Sequence, residues 1–169
     1  GPKWGFDKFG KPSTDINYWP TDPAKFPAPN WLDTRYTSYA SALKARGYFN
    51  HFVGKWHLGH EGYHPVDHGF DTQYGTTNWG HPKGYNAPFF ANTSVLKDAK
   101  KGDHLTDTLA KHSVEWIKNY DNNKPFMLSL WFYNVHRPAD GKPEYVEYFK
   151  KKGLSGDQAE YAAQIKSMD

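Results

Sequence analysis

The run PFMLSLWFY, residues 125–133, constrains the fold of this 169-residue chain more than any other stretch, because only Ser129 breaks its apolar character. A strand with one wet face would alternate. A continuous apolar run instead suits a strand buried on both faces, as in a parallel sheet covered by helices. The run is far shorter than the roughly twenty residues a membrane-spanning helix needs. A second candidate strand is YFNHFV, 48–53. Between the two, LTDTLAKHSVEWIKNY places Leu105, Leu109, Ser113, Trp116 and Ile117 on one helical face. Upstream, DTRYTSYASALKARG sets Tyr36, Tyr39, Ala40 and Leu43 at helical spacing, with Asp33 as the expected cap and Gly47 as the stop. KPEYVEYFKKKG and GDQAEYAAQIKSMD read as further helices, while residues 1–31 and 59–104 are irregular and punctuated by Gly and Pro. This order predicts an α/β fold with a largely parallel sheet flanked by helices. No internal repeat or linker divides the chain, and its length suffices for one core. The long irregular start leads us to expect that its packing partners lie elsewhere.

In such sheets the ligand site lies beyond the carboxyl ends of the strands. The first strand runs into Gly54, Lys55, Trp56 and His57, and the second into Asn134, Val135, His136, Arg137 and Pro138. Parallel strands would bring Lys55, His57, His136 and Arg137 to one edge. Lysine can act as a point charge on an anion, and histidine can move a proton near neutral pH. These types therefore predict an oxyanion site. Trp56 and Leu58 alternate with the two basic residues and read as packing. A zinc site built on His57, His60 and His64 would need a helix there, which Gly59, Gly62 and Pro65 oppose, so no metal ligands are assigned.

Composition narrows the partners. The net charge is +3 and the basic residues are scattered, which does not resemble a nucleic-acid footprint. Cysteine is absent, which removes disulfides, thiol nucleophiles and zinc–thiolate sites. Aromatic residues make up 18%, and an aromatic surface suits sugar rings. Trp79, His81, Tyr85, Asn86 and Phe89, together with Trp4, Trp19 and Trp31, offer a possible carbohydrate cleft, with ordinary loop packing as the alternative.

The segment GYFNHFVGKWHLG closely resembles the second signature of the type I (formylglycine-dependent) sulfatases. HPVDHGFDTQYG is similar to that family's Gly-Phe-Asp segment, and HLTDTLAKHSVEWIKNYDNNKPFMLSLWFYNVHRP to its Thr-Asp helix, Lys-Pro-Phe strand and Pro-His-x-Pro motif. EYAAQIKSMD resembles a later helix of the same domain, so the likeness runs in order through residues 33–169. It implies the alkaline-phosphatase-like α/β sandwich, present here as a partial domain. It implies that Lys55 contacts the sulfate and the aldehyde-derived nucleophile, that His57 orients and helps deprotonate that nucleophile, and that His136 sits near the bridging oxygen. Val135 stands where the family usually has proline.

The resemblance also implies a calcium ion and a formylglycine, yet no Cys/Ser-x-Pro-x-Arg segment is present, and neither are the family's early Asp pair, its late Asp-Asn pair or its second lysine. Residues 1–169 are therefore expected to be the central part of one sulfatase catalytic domain, inactive alone and partnered by the missing parts of that domain. The expected activity is removal of sulfate from a sulfated oligo- or polysaccharide, with Lys55, His57 and His136 catalytic and Lys55, His136, Arg137, Trp79 and His81 binding substrate. A non-catalytic glycan-binding relative and a phosphoester or phosphonate hydrolase of the same superfamily are the alternatives. The lack of cysteine and of lipid-like features fits a secreted or periplasmic enzyme.

Overall fold

The computed structural model describes residues 17–18, 27–28, 31–59, 61–90 and 95–169. Two short antiparallel strands, β1 (Asn17–Tyr18) and β2 (Pro27–Ala28), stand apart from the main sheet. Next come α1 (Tyr39–Lys44), β3 (Phe49–Gly54), a 3-10 turn at Pro65–His68, β4 (Thr72–Tyr74), α2 (Leu105–Lys118), β5 (Phe126–Trp131), α3 (Pro143–Lys151) and α4 (Gly156–Met168). The three later strands form a parallel sheet in the order β4-β3-β5. Its register pairs Phe49 with Phe126 and Gly54 with Trp131 on one side of β3, and Val53 with Tyr74 on the other.

The pleat of β3 explains the layering. Successive side chains of a strand point to opposite faces. Val53 joins a core of Tyr85, Phe89, Leu105, Leu109 and Tyr133, while Phe52 joins Ala40, Trp56 and Phe70. Helix α2 therefore covers one face and α1 the other. A third cluster, Val146, Ala159 and Ala163, joins α3 to α4. Burying a side chain the size of Leu or Phe stabilises by about 1.5–3 kcal/mol, so these clusters hold the layers together. Asn50 adds a polar pin, donating from Nδ2 to the carbonyls of Ala40 (2.8 Å) and Gly69 (3.0 Å).

The fold is the α/β, largely parallel, helix-flanked architecture that the sequence predicts. Several details differ. The cap of α1 is Ser38, whose side chain accepts from the Ser41 amide at 2.9 Å, whereas Asp33 turns back onto Arg35. Tyr36 thus falls outside the helix and is exposed. Strand β4 interrupts a stretch expected to be irregular throughout. Strand β5 is not buried on both faces: Phe126 and Trp131 are 38% and 41% exposed, because among the described residues its outer edge has no neighbouring strand. Ile117 on α2 is also exposed, one residue beyond the stripe that touches the sheet. Leu58, expected to pack, is exposed, while Trp56 is buried and donates from Nε1 to the Tyr63 carbonyl at 2.7 Å. No helix among the described residues is long and apolar enough to cross a membrane.

Candidate active site

The site begins where β3 and β5 part. Gly54 has φ +101°, and a Cβ there would collide with the Trp131 carbonyl, so the two strands can approach only because the position is glycine. The next amide, Lys55, donates to that same carbonyl at 2.8 Å. Two residues on, His57 takes the left-handed conformation, φ 55°. For a residue with a Cβ this costs roughly 1–2 kcal/mol. The turn is held by Gly59 donating to Asn78 Oδ1 (3.2 Å) and by Leu32 donating to the Leu58 carbonyl (2.7 Å).

The segment that follows β4 closes on this turn. The ring of His57 rests on Gly80, where an added Cβ would stand 2.5 Å from Nδ1 and 2.9 Å from Nε2. The next residue, His81, stacks on His136 with ring centroids 5.3 Å apart and planes 16° apart. Each strand of the parallel sheet thus sends one histidine to the same edge: His57 after β3, His81 after β4 and His136 after β5.

These groups lie close enough to act on one another electrostatically. Partial burial lowers the pKa of His57, and the positive charges of Lys55, His136 and His81 lower it further. Partial burial also lowers the pKa of Lys55. Among the described residues, no carboxylate acts on His57, and the Lys55 ammonium has neither an ion-pair nor a hydrogen-bond partner. His81 and His136 each donate from Nδ1 to a carbonyl, that of Pro82 and that of Arg137, both at 2.9 Å. A carbonyl can only accept, so Nδ1 carries the proton in each ring and Nε2 remains free to accept or carry another.

The loop bearing His136 is fastened from three sides. Tyr85 donates from its hydroxyl to the His136 carbonyl at 3.0 Å. Asp140 accepts from the amides of Tyr85 (2.6 Å) and Asn86 (3.1 Å) and from Asn86 Nδ2 (2.7 Å). Thr106 on α2 donates to Asn134 Oδ1 at 2.7 Å, and Asn134 donates to the Gln164 carbonyl on α4 at 3.2 Å. Lys142 adds an ion pair with Asp107 at 2.7 Å. The Asn134–Val135 peptide bond is cis.

Two sequence-predicted residues stand differently. Arg137 does not turn toward the cluster but pairs with Asp157 on α4 at 3.0 Å, both side chains largely exposed. Trp79 lies beside Gly80 with 57% of its surface exposed. Of the other aromatic candidates, Tyr85 and Phe89 belong to the hydrophobic core, Trp31 packs on Tyr63 at 5.5 Å, and Trp4 and Trp19 lie outside the described residues. A cleft of about 580 Å³ lies away from the cluster, between β4 and α2, bordered by Tyr74, Leu96 and His112.

The sulfatase family profile matches residues 9–169. The chain belongs to the sulfatase family. It is 27% identical over 155 residues to arylsulfatase J of Mus musculus, covering 83% of this chain and 25% of the relative. It is 32% identical over 131 residues to N-acetylgalactosamine-6-sulfatase of Homo sapiens, covering 68% of this chain and 25% of the relative. The chain therefore spans about a quarter of the length of these curated relatives. Among solved structures, Ps i-CgsB superposes with a TM-score of 0.66 at 23% identity in its complex with k-i-k-neocarrahexaose, covering 82% of this chain and 35% of that one. BT4656, solved with D-glucosamine-2-N,6-O-disulfate, superposes with a TM-score of 0.55 at 22% identity over 75% of this chain and 24% of that one. These structural likenesses establish the partial alkaline-phosphatase-like fold of this sulfatase chain.

The family implies calcium and formylglycine, and the residues present fit neither. No three His, Asp or Glu side chains converge as a metal site among the described residues, and the Lys55 ammonium at the strand ends would repel a divalent cation. The sequence also holds no cysteine and no Cys/Ser-x-Pro-x-Arg segment from which a formylglycine could form.

Proposed function

We propose that the protein containing this chain hydrolyses sulfate esters of a sulfated carbohydrate, and that residues 1–169 are the central part of its catalytic domain. The observation that carries this reading is the cluster of Lys55, His57, His81 and His136, in which the charges of described residues that act on His57 come from Lys55, His136 and His81. Such a site attracts a tetrahedral oxyanion. As a nucleophile bonds to sulfur and the sulfur–oxygen bond to the sugar breaks, the electron pair leaves with the sugar oxygen and charge builds there. Lys55, partly desolvated, stabilises that charge. His57, whose pKa is lowered by partial burial and then by the charge of Lys55, accepts a hydrogen bond or a proton. His136, once protonated at Nε2, gives that proton to the departing sugar oxygen.

Trp79 offers an exposed indole on which a sugar ring can stack, and His81, two residues on, is stacked on His136. Arg137 stands farther out, where it can meet a second sulfate along a polymer if it exchanges Asp157 for it. The names of the relatives support the substrate class, since one is N-acetylgalactosamine-6-sulfatase, BT4656 was solved with D-glucosamine-2-N,6-O-disulfate, and Ps i-CgsB was solved with an oligosaccharide. Action on a polyanionic polymer places the protein outside the cytoplasm, secreted or periplasmic, because such a polymer does not cross a membrane unaided.

Sulfate release by the full-length protein from a panel of sulfated oligosaccharides and from an aryl sulfate tests the reading. The expected result is faster release from at least one oligosaccharide, because binding energy from the sugar is usable in the transition state. Tight glycan binding without release would favour the non-catalytic relative. Preferred turnover of a phosphate ester would favour the phosphoester hydrolase.

A further inference from the structure

We propose that His81 is a positioning residue for His136: it is the platform that fixes the plane of the proton-donating imidazole. This rests on the role given to His136 above. The ring of His136 lies on an exposed turn and, among the described residues, makes one hydrogen bond, from Nδ1 to the Arg137 carbonyl. One bond leaves the ring free to tilt about it. The second restraint on its plane is the face of His81, at 5.3 Å and 16°. His81 is suited to this role because its own Nδ1 is tied to the Pro82 carbonyl at 2.9 Å.

The two loops behave as one body. Asp140, from the loop that carries His136, accepts three hydrogen bonds from Tyr85 and Asn86, which follow His81 closely in sequence. Tyr85 in turn binds the His136 carbonyl and is fully buried. Platform and imidazole are therefore locked to the same frame, so the stack survives small movements of the surface. On the other side of the segment, Gly80 receives the ring of His57. His81 thus spaces the two imidazoles that face the anion while its ring face is taken up by one of them. A side chain committed in this way acts on the substrate through His136.

The size of the effect follows from the contact. An offset aromatic pair of this kind shifts an equilibrium by up to about tenfold. Proton donation is felt mainly in turnover of substrates with a poor leaving group. In the full-length enzyme His81→Ala should lower kcat on a sugar sulfate about tenfold, keep KM within about twofold and cost a nitrophenyl sulfate distinctly less. His81→Phe, which keeps a flat ring without a titrating nitrogen, should restore most of the loss. A rise in KM with kcat unchanged, in both variants, would mean that His81 touches the substrate and would overturn the proposal. So would a His81→Phe enzyme as slow as His81→Ala. His136→Ala measured alongside separates this inference from the reading beneath it. If that variant does not discriminate between the two substrates, the assignment of His136 falls. The platform is then judged by a structure of the full-length His81→Ala enzyme, where an unmoved His136 ring would refute it and a turned ring would support it.

Discussion

Two groups of histidines in this molecule have opposite fates. One lies inside the sheet: His51 on β3 accepts or donates to His112 on α2 through Nε2 (3.0 Å) and to Thr72 through Nδ1 (2.7 Å). Its ring is stacked on Trp116 at 4.6 Å, and His112 is stacked on Tyr74 at 3.5 Å. The other lies at the strand ends: His57, His81 and His136 around Lys55. There, among the described residues, the Nε2 atoms of His81 and His136 have no partner. The inner pair is closed, because both nitrogens of His51 are engaged. In the outer group, among the described residues, the Nε2 atoms of His81 and His136 and the Lys55 ammonium are unengaged at one end of the sheet. A histidine whose nitrogens are all used contributes to packing. One with an unengaged nitrogen near a lysine is the kind the proposed function calls on.

This contrast can be broken at either end. The largest effect is expected at Lys55. In the full-length enzyme Lys55→Ala should lower kcat/KM by about 10²–10³-fold on a sugar sulfate and on a nitrophenyl sulfate alike, since it acts on sulfate charge common to both. Parallel steady-state kinetics on the two substrates check this, and a loss confined to one of them would remove Lys55 from the sulfate.

The inner pair should show itself in stability instead. Burial, and then the charge of His112, push the pKa of His51 down to about 4, against an ordinary value of 6.5. Burial also lowers that of His112, which Glu115 partly offsets. A base with a depressed folded pKa adds stability that is full above pH 6.5 and is lost as pH falls toward 4. The loss is at most about 3 kcal/mol, from roughly 1.4 kcal/mol per pH unit. Unfolding of the full-length protein at pH 7 and pH 4.5 should show this acid loss. His112→Gln, which keeps a hydrogen-bonding partner without a second charge, should shrink it. An unchanged acid loss in that variant would mean that the pair does not titrate as described.

The smallest effect concerns the ion pair that keeps Arg137 from the cluster. Both partners are largely exposed, and surface pairs are worth about 0–1 kcal/mol. Asp157→Asn should therefore change the unfolding free energy by less than about 1 kcal/mol. It should also free Arg137, so that KM for a multiply sulfated oligosaccharide falls slightly while KM for an aryl sulfate does not. A larger loss of stability would show that the pair holds α4 in place.

How much of this was legible in the sequence depends on the range of the forces involved. Strands β3 and β5 and helix α2 showed because their patterns are long and local: the apolar run that contains Phe126–Trp131, and the spacing of Leu105, Leu109 and Ser113. The Lys55, His57 and His136 ends followed from those strands and the parallel rule. Strand β4 has only three residues, Thr72–Tyr74, and its flanks are Asp71 and Gly75, so no periodicity could mark it. Missing β4 hid the fact that His81 reaches the same edge as the other two. The pattern FDTQYG, with strand-forming residues between turn residues, is the signal that could have revealed it. The cap of α1 went to Ser38 rather than Asp33 because the Arg35 guanidinium and amide occupy the aspartate. The turn of Arg137 toward Asp157 depends on a helix twenty residues away and leaves no local trace.

The central claim is that the outer histidines form a site that stabilises sulfate charge and protonates the leaving oxygen. A sugar alkoxide needs that proton, while a nitrophenolate departs without it. The most direct test is the ratio of kcat/KM for a sugar sulfate to that for a nitrophenyl sulfate, measured in the full-length enzyme and in His136→Ala. General acid help is worth about 10²–10⁴-fold, so His136→Ala should lower this ratio by roughly that factor. An unchanged ratio would contradict the claim, leaving His136 as a sulfate-binding group and the acid to be sought at His57 or beyond this chain.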